Sequence, residues 1–493
     1  MTRHFLAVDL GAESGRAILG RLRSGVLDVA GEHRFLNEPR RQGASLRWNV
    51  RQLWADIRQG LDRASRQRLD GVGVDAWGVD YALLDDDGKL LEDPYHYRDP
   101  RTAGAMEQLF ALVGRERIYE TTGIQCLPIN TLYQLHAACR STPHVVANAR
   151  TLLTIPDLFN YWLTGRRCTE YTIATTTQCV DVRTRAWATG LMVDAGVPAR
   201  LFAPIVDAGT VIGSVMGSEM AAASAALLGT PVVATACHDT ASAVAAVRAD
   251  GHTAFLSSGT WSLLGTELPA PILTAEARDR NFTNEGGVCG TIRLLKNICG
   301  LWLLQACRRS WKAAGHELSY TALLDAAAAD ALAFGSLLDP DHEQFLNPDD
   351  MPSSIDAYCS RTGQPTPVGP AGYTRAVLES LACKYRMVLE SLESVTGRRF
   401  DEIRIVGGGS RNRLLNQFTA DSTGCRVVAG PAEATSLGNI AMQMLATGAV
   451  GSLAEARAVI DRSFPVERFE PVDHDRWDAH YARFRKYVEV ACA

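Results

Sequence analysis

The hydrophobic pattern of the chain opens with two apolar runs separated by a short polar turn. In FLAVDLGAESGRAILG (residues 5–20) the first run ends in Asp9, passes through Gly11, Ser14, Gly15 and Arg16, and re-enters an apolar run. That pattern predicts a β-hairpin with a turn of glycine and small polar residues. Residues 253–266, TAFLSSGTWSLLGT, repeat it around a turn of Ser257, Ser258, Gly259 and Thr260. Each hairpin stands near the start of one half of the chain, as a duplication at domain scale would leave it.

Between the hairpins, residues 26–36 read as a strand. Residues 48–61 read as an amphipathic helix, with Trp48 just ahead of it and Leu53, Trp54, Ile57 and Leu61 on one face. Residues 72–85 predict a strand pair pinched at Trp77-Gly78, closed by a tight turn from Asp85 to Gly88. The resulting β-β-β-α-β order belongs to a mixed sheet covered by helices, an α/β class. Residues 100–200 are mainly helical in pattern, and two short apolar runs around Gly209 and Gly213 return to the core. An uncharged stretch at 220–237 is broken by Gly229 and Pro231, so it reads as a surface helix, a turn and a buried strand, and no membrane span is expected. That strand delivers His238-Asp239-Thr240 to a helix of small residues. A polar turn at 248–252 then suggests a boundary between domains 1–248 and 249–493. The second half runs hairpin, mixed segment to 300, helices to 398, strand 402–406, Gly407-Gly408-Gly409, and a helix from about Ser410.

Composition narrows the class. A chain of 493 residues with 46% hydrophobic and 21% charged residues suits two globular domains with full cores. The net charge of −5 is unsegregated and no Lys/Arg run occurs, which argues against a nucleic-acid partner. Twelve cysteines show no C-x-x-C pair and no zinc-type spacing, so they read as reduced, buried thiols in a reducing, cytoplasmic compartment. The N-terminus carries Asp9 early and makes a poor signal peptide.

The candidate chemistry gathers at the polar interruptions. The first turn can offer backbone N–H groups, the Ser14 hydroxyl and the Arg16 guanidinium to an anion, while Asp9 can hold a metal ion; phosphate with Mg2+ suits that set. An ordinary hairpin with a solvated aspartate is the alternative. Asp239 sits where a strand gives way to a helix, the position at which α/β proteins place ligands, and can act as general base on a hydroxyl. Asp239 or Thr240 can equally serve only as the helix N-cap. The three glycines at 407–409 permit a ring or phosphate to approach, or serve packing alone; they do not form a dinucleotide fingerprint. Asp75, Trp77, Gly78 and Asp80 in the strand pair, residues 97–102 (YRDPRT), and Lys296-Asn297 are candidates for substrate selection. For the second the alternative is a surface ion-pair loop. For Asn297 it is a cap on the helix that follows, whose Trp302, Leu303 and Leu304 read as core with Gln305 the odd polar member.

These residues, taken together, resemble the FGGY carbohydrate kinases. The likeness runs through VDLGAESGR (8–16), GVDAWGVDY (73–81), YRDPRT (97–102), TGIQCLPINTLYQL (122–135), EYTIATTTQ (170–178), CHDTASAV (237–244), LSSGTWSL (256–263), NEGG (284–287), LKNICGLWLLQ (295–305), VGGGSRN (406–412) and AGPAEATSLGNI (429–440). The resemblance implies two ribonuclease-H-like (actin-like ATPase) domains around a central cleft, the second mainly binding nucleotide. It implies ATP-dependent phosphorylation of a 2-ketose at O1, with L-rhamnulose first and L-fuculose or L-xylulose as alternatives. Asp239 falls at the catalytic base, and Gly78, His238, Asp239, Thr240 and Asn297 at sugar-binding positions. Ala12, Glu13, Ser14, Gly15, Arg16, Thr260, Gln305 and Gly408 fall at ATP-binding positions, and Asp9 where Mg2+ is held. Glu13 departs from the small or hydroxyl residue usual there; its carboxylate would repel triphosphate, so its backbone N–H is the expected contact. The partners expected are a sugar and ATP, with no nucleic acid and no membrane, in a monomer or homodimer. An ATP-driven clamp of the actin or chaperone kind is the rival from another class, and His238-Asp239 speaks against it.

Overall fold

The computed structural model describes residues 2–217, 225–249, 251–329 and 333–491. The chain forms two compact units. The first contains Met1–Arg248, Glu267–Leu294 and Ala434–Phe464, and the second Ala249–Thr266, Leu295–Glu433 and Pro465–Ala493. The boundary expected near 248 is where the N-terminal segment of the first unit ends. Residues 267–294 and 434–464, expected in the second half, group with the first unit.

In the first unit a six-stranded sheet runs in the order Thr210–Ser214, Pro231–Ala234, Gly71–Ala76, Arg3–Leu10, Ser14–Arg23, Val26–Leu36. The predicted hairpin is its antiparallel heart, and Gly71–Ala76 joins Arg3–Leu10 in parallel. Residues 5–10 are all buried, as a strand covered on both faces must be. One cover is the helix Val50–Ala64, which buries Leu53, Trp54, Ile57 and Leu61 as its period predicts. Another is Ala434–Ala446, drawn from far along the chain. It lies so close to the helix Asp239–Ala245 that a Cβ on Gly438 would stand 1.7 Å from the Ser242 carbonyl oxygen. Glycine is required at that contact.

The strands Gly71–Ala76 and Tyr81–Leu84 form as expected but do not pair with each other. Tyr81–Leu84 instead runs antiparallel to Thr151–Thr154. The turn at 85–88 closes through Gly88 N–H to the Asp85 carbonyl at 3.1 Å. Of the stretch at 220–237, Pro231–Ala234 is the expected buried strand, and 220–224 lie outside the described residues.

In the second unit Thr253–Ser258 pairs antiparallel with Trp261–Leu268 and parallel with Glu402–Val406, which continues to Arg426–Ala429 and Glu467–Phe469. A hairpin followed by parallel strands thus recurs, as the repeated pattern predicts. The helix expected at Ser410 begins later: Gly408–Arg411 is a 3-10 turn, and Asn412 caps the helix Arg413–Thr423 through its side chain. The eleven described cysteines are all free; nine are buried, Cys139 is half-buried, and Cys289 is exposed, contrary to expectation. No helix among the described residues is long and apolar enough to cross a membrane.

Candidate active site

The first unit gathers acid groups along the ends of its central strands. Register places Asp9 opposite Arg16 on one side and beside Asp75 on the other. Asp9 is buried, and its Oδ2 accepts from Arg16 Nε at 2.9 Å and Ser436 Oγ at 3.0 Å. Asp75 is fully buried. Its Oδ2 accepts from Asn439 Nδ2 at 2.6 Å, while its Oδ1 has no hydrogen-bond partner. Burial, with Asp9 and Asp239 nearby, pushes the Asp75 carboxyl well above the usual range.

The turn after Asp9 is fastened by Asn37, whose Nδ2 donates to the Gly11 carbonyl and whose N–H donates to that of Glu13. Glu13 and Ser14 are exposed and Ala12 is half-buried. Gly15 is buried beneath Phe35, whose ring lies 2.2 Å from where a Cβ would stand. Arg16, expected to face an anion, uses its Nε on Asp9.

Asp239 occupies the strand-to-helix junction as predicted, but neither it nor Thr240 is the cap. His238 is the N-cap residue, with no side-chain capping bond, and the helix starts at Asp239. Asp239 Oδ1 accepts from Thr240 N at 2.5 Å and Thr240 Oγ1 at 3.1 Å, and lies 3.4 Å from His238 Nε2. Burial raises the Asp239 carboxyl above its ordinary range, and Asp9 adds to this. Beneath the junction, the buried Glu170 caps the helix Tyr171–Thr176 by accepting from Thr172 N and Ile173 N; it also accepts from Cys237 N–H. Burial pushes the Glu170 carboxyl up to about 7.

Gly78 is half-buried against Thr176, whose Cβ lies 3.0 Å from the position of an added Cβ. The next residue, Val79, holds a positive φ of 68°. That conformation is strained for a β-branched residue and is fixed here by hydrogen bonds from Thr131 Oγ1 and to Thr176 Oγ1. Asp80 is a hub: Oδ2 accepts from Trp48 Nε1, Trp77 Nε1 and Tyr97 N, and Oδ1 from Gln134 Nε2. The loop 97–102 is also built inward, since Asp99 accepts from Leu46 N and Arg101 grips Gln134.

In the second unit the Gly259 and Thr260 carbonyls accept from Leu301 N and Trp302 N, tying the hairpin turn to the helix Trp302–Ala313. Gln305 on that helix has a buried Oε1 without a hydrogen-bond partner, so a ligand donor fits there. The three glycines divide. An added Cβ would meet the Ser258 carbonyl oxygen at 2.9 Å from Gly407 and Ser258 Oγ at 2.0 Å from Gly409, whereas Gly408 is exposed with open space around it. Asn297 is half-buried in the strand Ile292–Cys299 and is not a cap; Leu301 takes that position.

No group of three or more His, Cys, Asp or Glu side chains able to hold a metal exists among the described residues. Asp9 and the orphaned Oδ1 of Asp75 are oxygen donors of the kind that could share a cation with phosphate and water. Sequence reasoning did not identify Glu170, Glu285, Arg293, Ser436 or Asn439. Their only signal was membership of the motifs at 170–178, 284–287 and 429–440, and Arg293 had none.

Residues 4–246 match the N-terminal domain model, and residues 254–447 the C-terminal domain model, of the FGGY family of carbohydrate kinases. A rhamnulokinase from Bacteroides thetaiotaomicron is 44% identical over 491 residues, covering 99% of this chain and 100% of that protein. A rhamnulokinase from Pectobacterium carotovorum subsp. carotovorum is 43% identical, covering 98% and 96%. Among solved structures, ligand-bound xylulose kinase from Lactobacillus acidophilus superposes with a TM-score of 0.79 at 14% identity, covering 100% of this chain and 99% of that one, a likeness of fold.

Proposed function

The chain belongs to the FGGY family of carbohydrate kinases, and we propose that it transfers the γ-phosphoryl group of ATP to O1 of L-rhamnulose, giving L-rhamnulose 1-phosphate and ADP. The observation that carries the substrate assignment is the full-length identity to two rhamnulokinases. The chemistry follows from Asp239, a carboxylate held at a strand-to-helix junction with its side chain 30% exposed. A base kept buried enough to hold its pKa up, yet reachable, takes the O1 proton as O1 attacks the γ-phosphorus and the bond to the β-phosphate oxygen breaks.

In this reading Gly78, His238, Thr240 and Asn297 bind the sugar. Ala12 to Arg16, Thr260, Gln305 and Gly408 bind ATP, with Glu13 contributing backbone. Asp9 holds Mg2+, which when bound neutralises charge on the transferred phosphoryl group. The enzyme works in the cytoplasm, where ATP is at hand and its thiols stay reduced.

The test is coupled ADP release across a panel of 2-ketoses, with the product identified by phosphorus NMR. L-rhamnulose is expected to give the highest kcat/KM and a 1-phosphate. A higher value for L-fuculose or L-xylulose reassigns the substrate.

A further inference from the structure

Behind His238 lies an ion pair that the proposed chemistry has not used. Arg293, 1% exposed, donates from Nη2 to Glu285 Oε2 at 3.0 Å and to His238 Nδ1 at 3.1 Å, and from Nε to the Gly286 carbonyl. Glu285 Oε2 also lies 3.3 Å from His238 Nδ1. Burial pushes the Glu285 carboxyl up, but Arg293 and His238 together outweigh it and hold it below its ordinary range.

We propose that Glu285 and Arg293 are positioning residues that fix the His238 imidazole with hydrogen on Nε2, the nitrogen 3.4 Å from Asp239 Oδ1, so that Oδ1 stays engaged and Oδ2 is the atom that receives the sugar proton. This rests on Asp239 being the base. An arginine has no acceptor, so its Nη2 donates to Nδ1 of a neutral imidazole, and the ring hydrogen must then sit on Nε2. A protonated imidazole donates from Nδ1 to Glu285 instead, and again carries hydrogen on Nε2. The Arg293–Glu285 pair accommodates both states, and in both the hydrogen-bearing Nε2 stands 3.4 Å from Asp239 Oδ1, an ion-pair distance. Thr240 N and Oγ1 donate to the same oxygen. Two donors and the nearby imidazole Nε2 thus engage Oδ1 and leave Oδ2 as the basic oxygen. The other charged groups acting on this corner are Asp9 and Asp75 on the neighbouring strands, Arg16 beside them, and Glu170 and Glu267 toward Arg293. None of them changes in the variants below.

The test compares Glu285→Gln, Glu285→Gln/Arg293→Met and Asp239→Asn, each checked for folding by circular dichroism, in kcat, in KM for ATP and in the pH profile of kcat/KM for the ketose. Removing the Glu285 charge leaves Arg293 uncompensated, which favours the Asp239 carboxylate. Glu285→Gln is therefore expected to lower kcat by roughly tenfold or more and to move the acidic limb down by roughly half a pH unit, with KM for ATP unchanged. The double variant removes both charges, which keeps the interior neutral should the single variant fail to fold. It is expected to return the limb toward the wild-type position while kcat stays low. A folded Glu285→Gln or double variant with kcat within about twofold of wild type and an unmoved limb overturns the positioning role. Turnover retained by Asp239→Asn overturns instead the reading on which it rests.

Discussion

The turn that follows the first strand and the turn that follows residues 253–258 share a hairpin frame and differ in chemistry. In the first unit the turn is flanked by Asp9 and Arg16 in direct contact, with Asp75 in register beside them. In the second the turn is only Gly259-Thr260, because Ser257 and Ser258, expected in the turn, pair within the strand, and Gly407 and Gly409 press on Ser258. The first therefore stores charge in a low-dielectric setting, where a small number of hydrogen bonds sets each group's protonation. The second offers backbone at close range, which suits a ligand already rich in charge. Substitutions in the two regions are accordingly expected to fail in different ways.

The largest effect on stability is expected where the first unit buries charge without leaving an oxygen open. Both oxygens of Asp80 are taken by four donors, and burial lifts its carboxyl to about 6 despite them. A folded pKa above the unfolded value of 3.8 means that the folded state holds this proton more tightly. The stability it contributes is complete below the unfolded value and is lost as pH rises through about 6. Asp80→Asn lacks that dependence. The difference in unfolding free energy between wild type and variant, from urea titrations, is expected to shrink by on the order of 3 kcal/mol between about pH 4 and pH 7. A constant difference would mean that burial does not lift the Asp80 carboxyl, and would remove the filled hub from the comparison.

A smaller effect separates two adjacent glycines of the second unit. Gly409→Ala forces a methyl onto Ser258 Oγ and is expected to cost about 1–3 kcal/mol, read as a lower denaturation midpoint. Gly408→Ala meets open space and is expected to stay within about 0.5 kcal/mol of wild type, while weakening ATP binding in equilibrium titration. Equal losses of stability at both positions would remove the distinction between packing glycine and binding glycine.

Much of the frame was legible because periodicity is local. The hairpins, the helix Val50–Ala64 with its buried face, and the strand leading to His238-Asp239-Thr240 each follow from patterns within fifteen or so residues. What escaped was pairing and partnership across long separations. Residues 71–76 and 81–84 were readable as strands, but nothing local says that the second seeks Thr151–Thr154. Ser436 and Asn439 complete Asp9 and Asp75 from more than 360 residues away. Asp80 and Asp239 look alike as aspartates at strand ends, and only the list of donors on each oxygen distinguishes a filled hub from an open base. Three consecutive glycines carry no mark of which one faces space.

The central claim is that the carboxylate region of the first unit performs proton transfer and is separable from nucleotide binding. Asp239→Asn tests it most directly, with ATP affinity by equilibrium titration and ketose-stimulated ADP release measured on one preparation. The affinity is expected to stay within about twofold of wild type while turnover falls by roughly 10²- to 10⁴-fold. Turnover close to wild type, or a loss fully explained by weaker ATP binding, would contradict it.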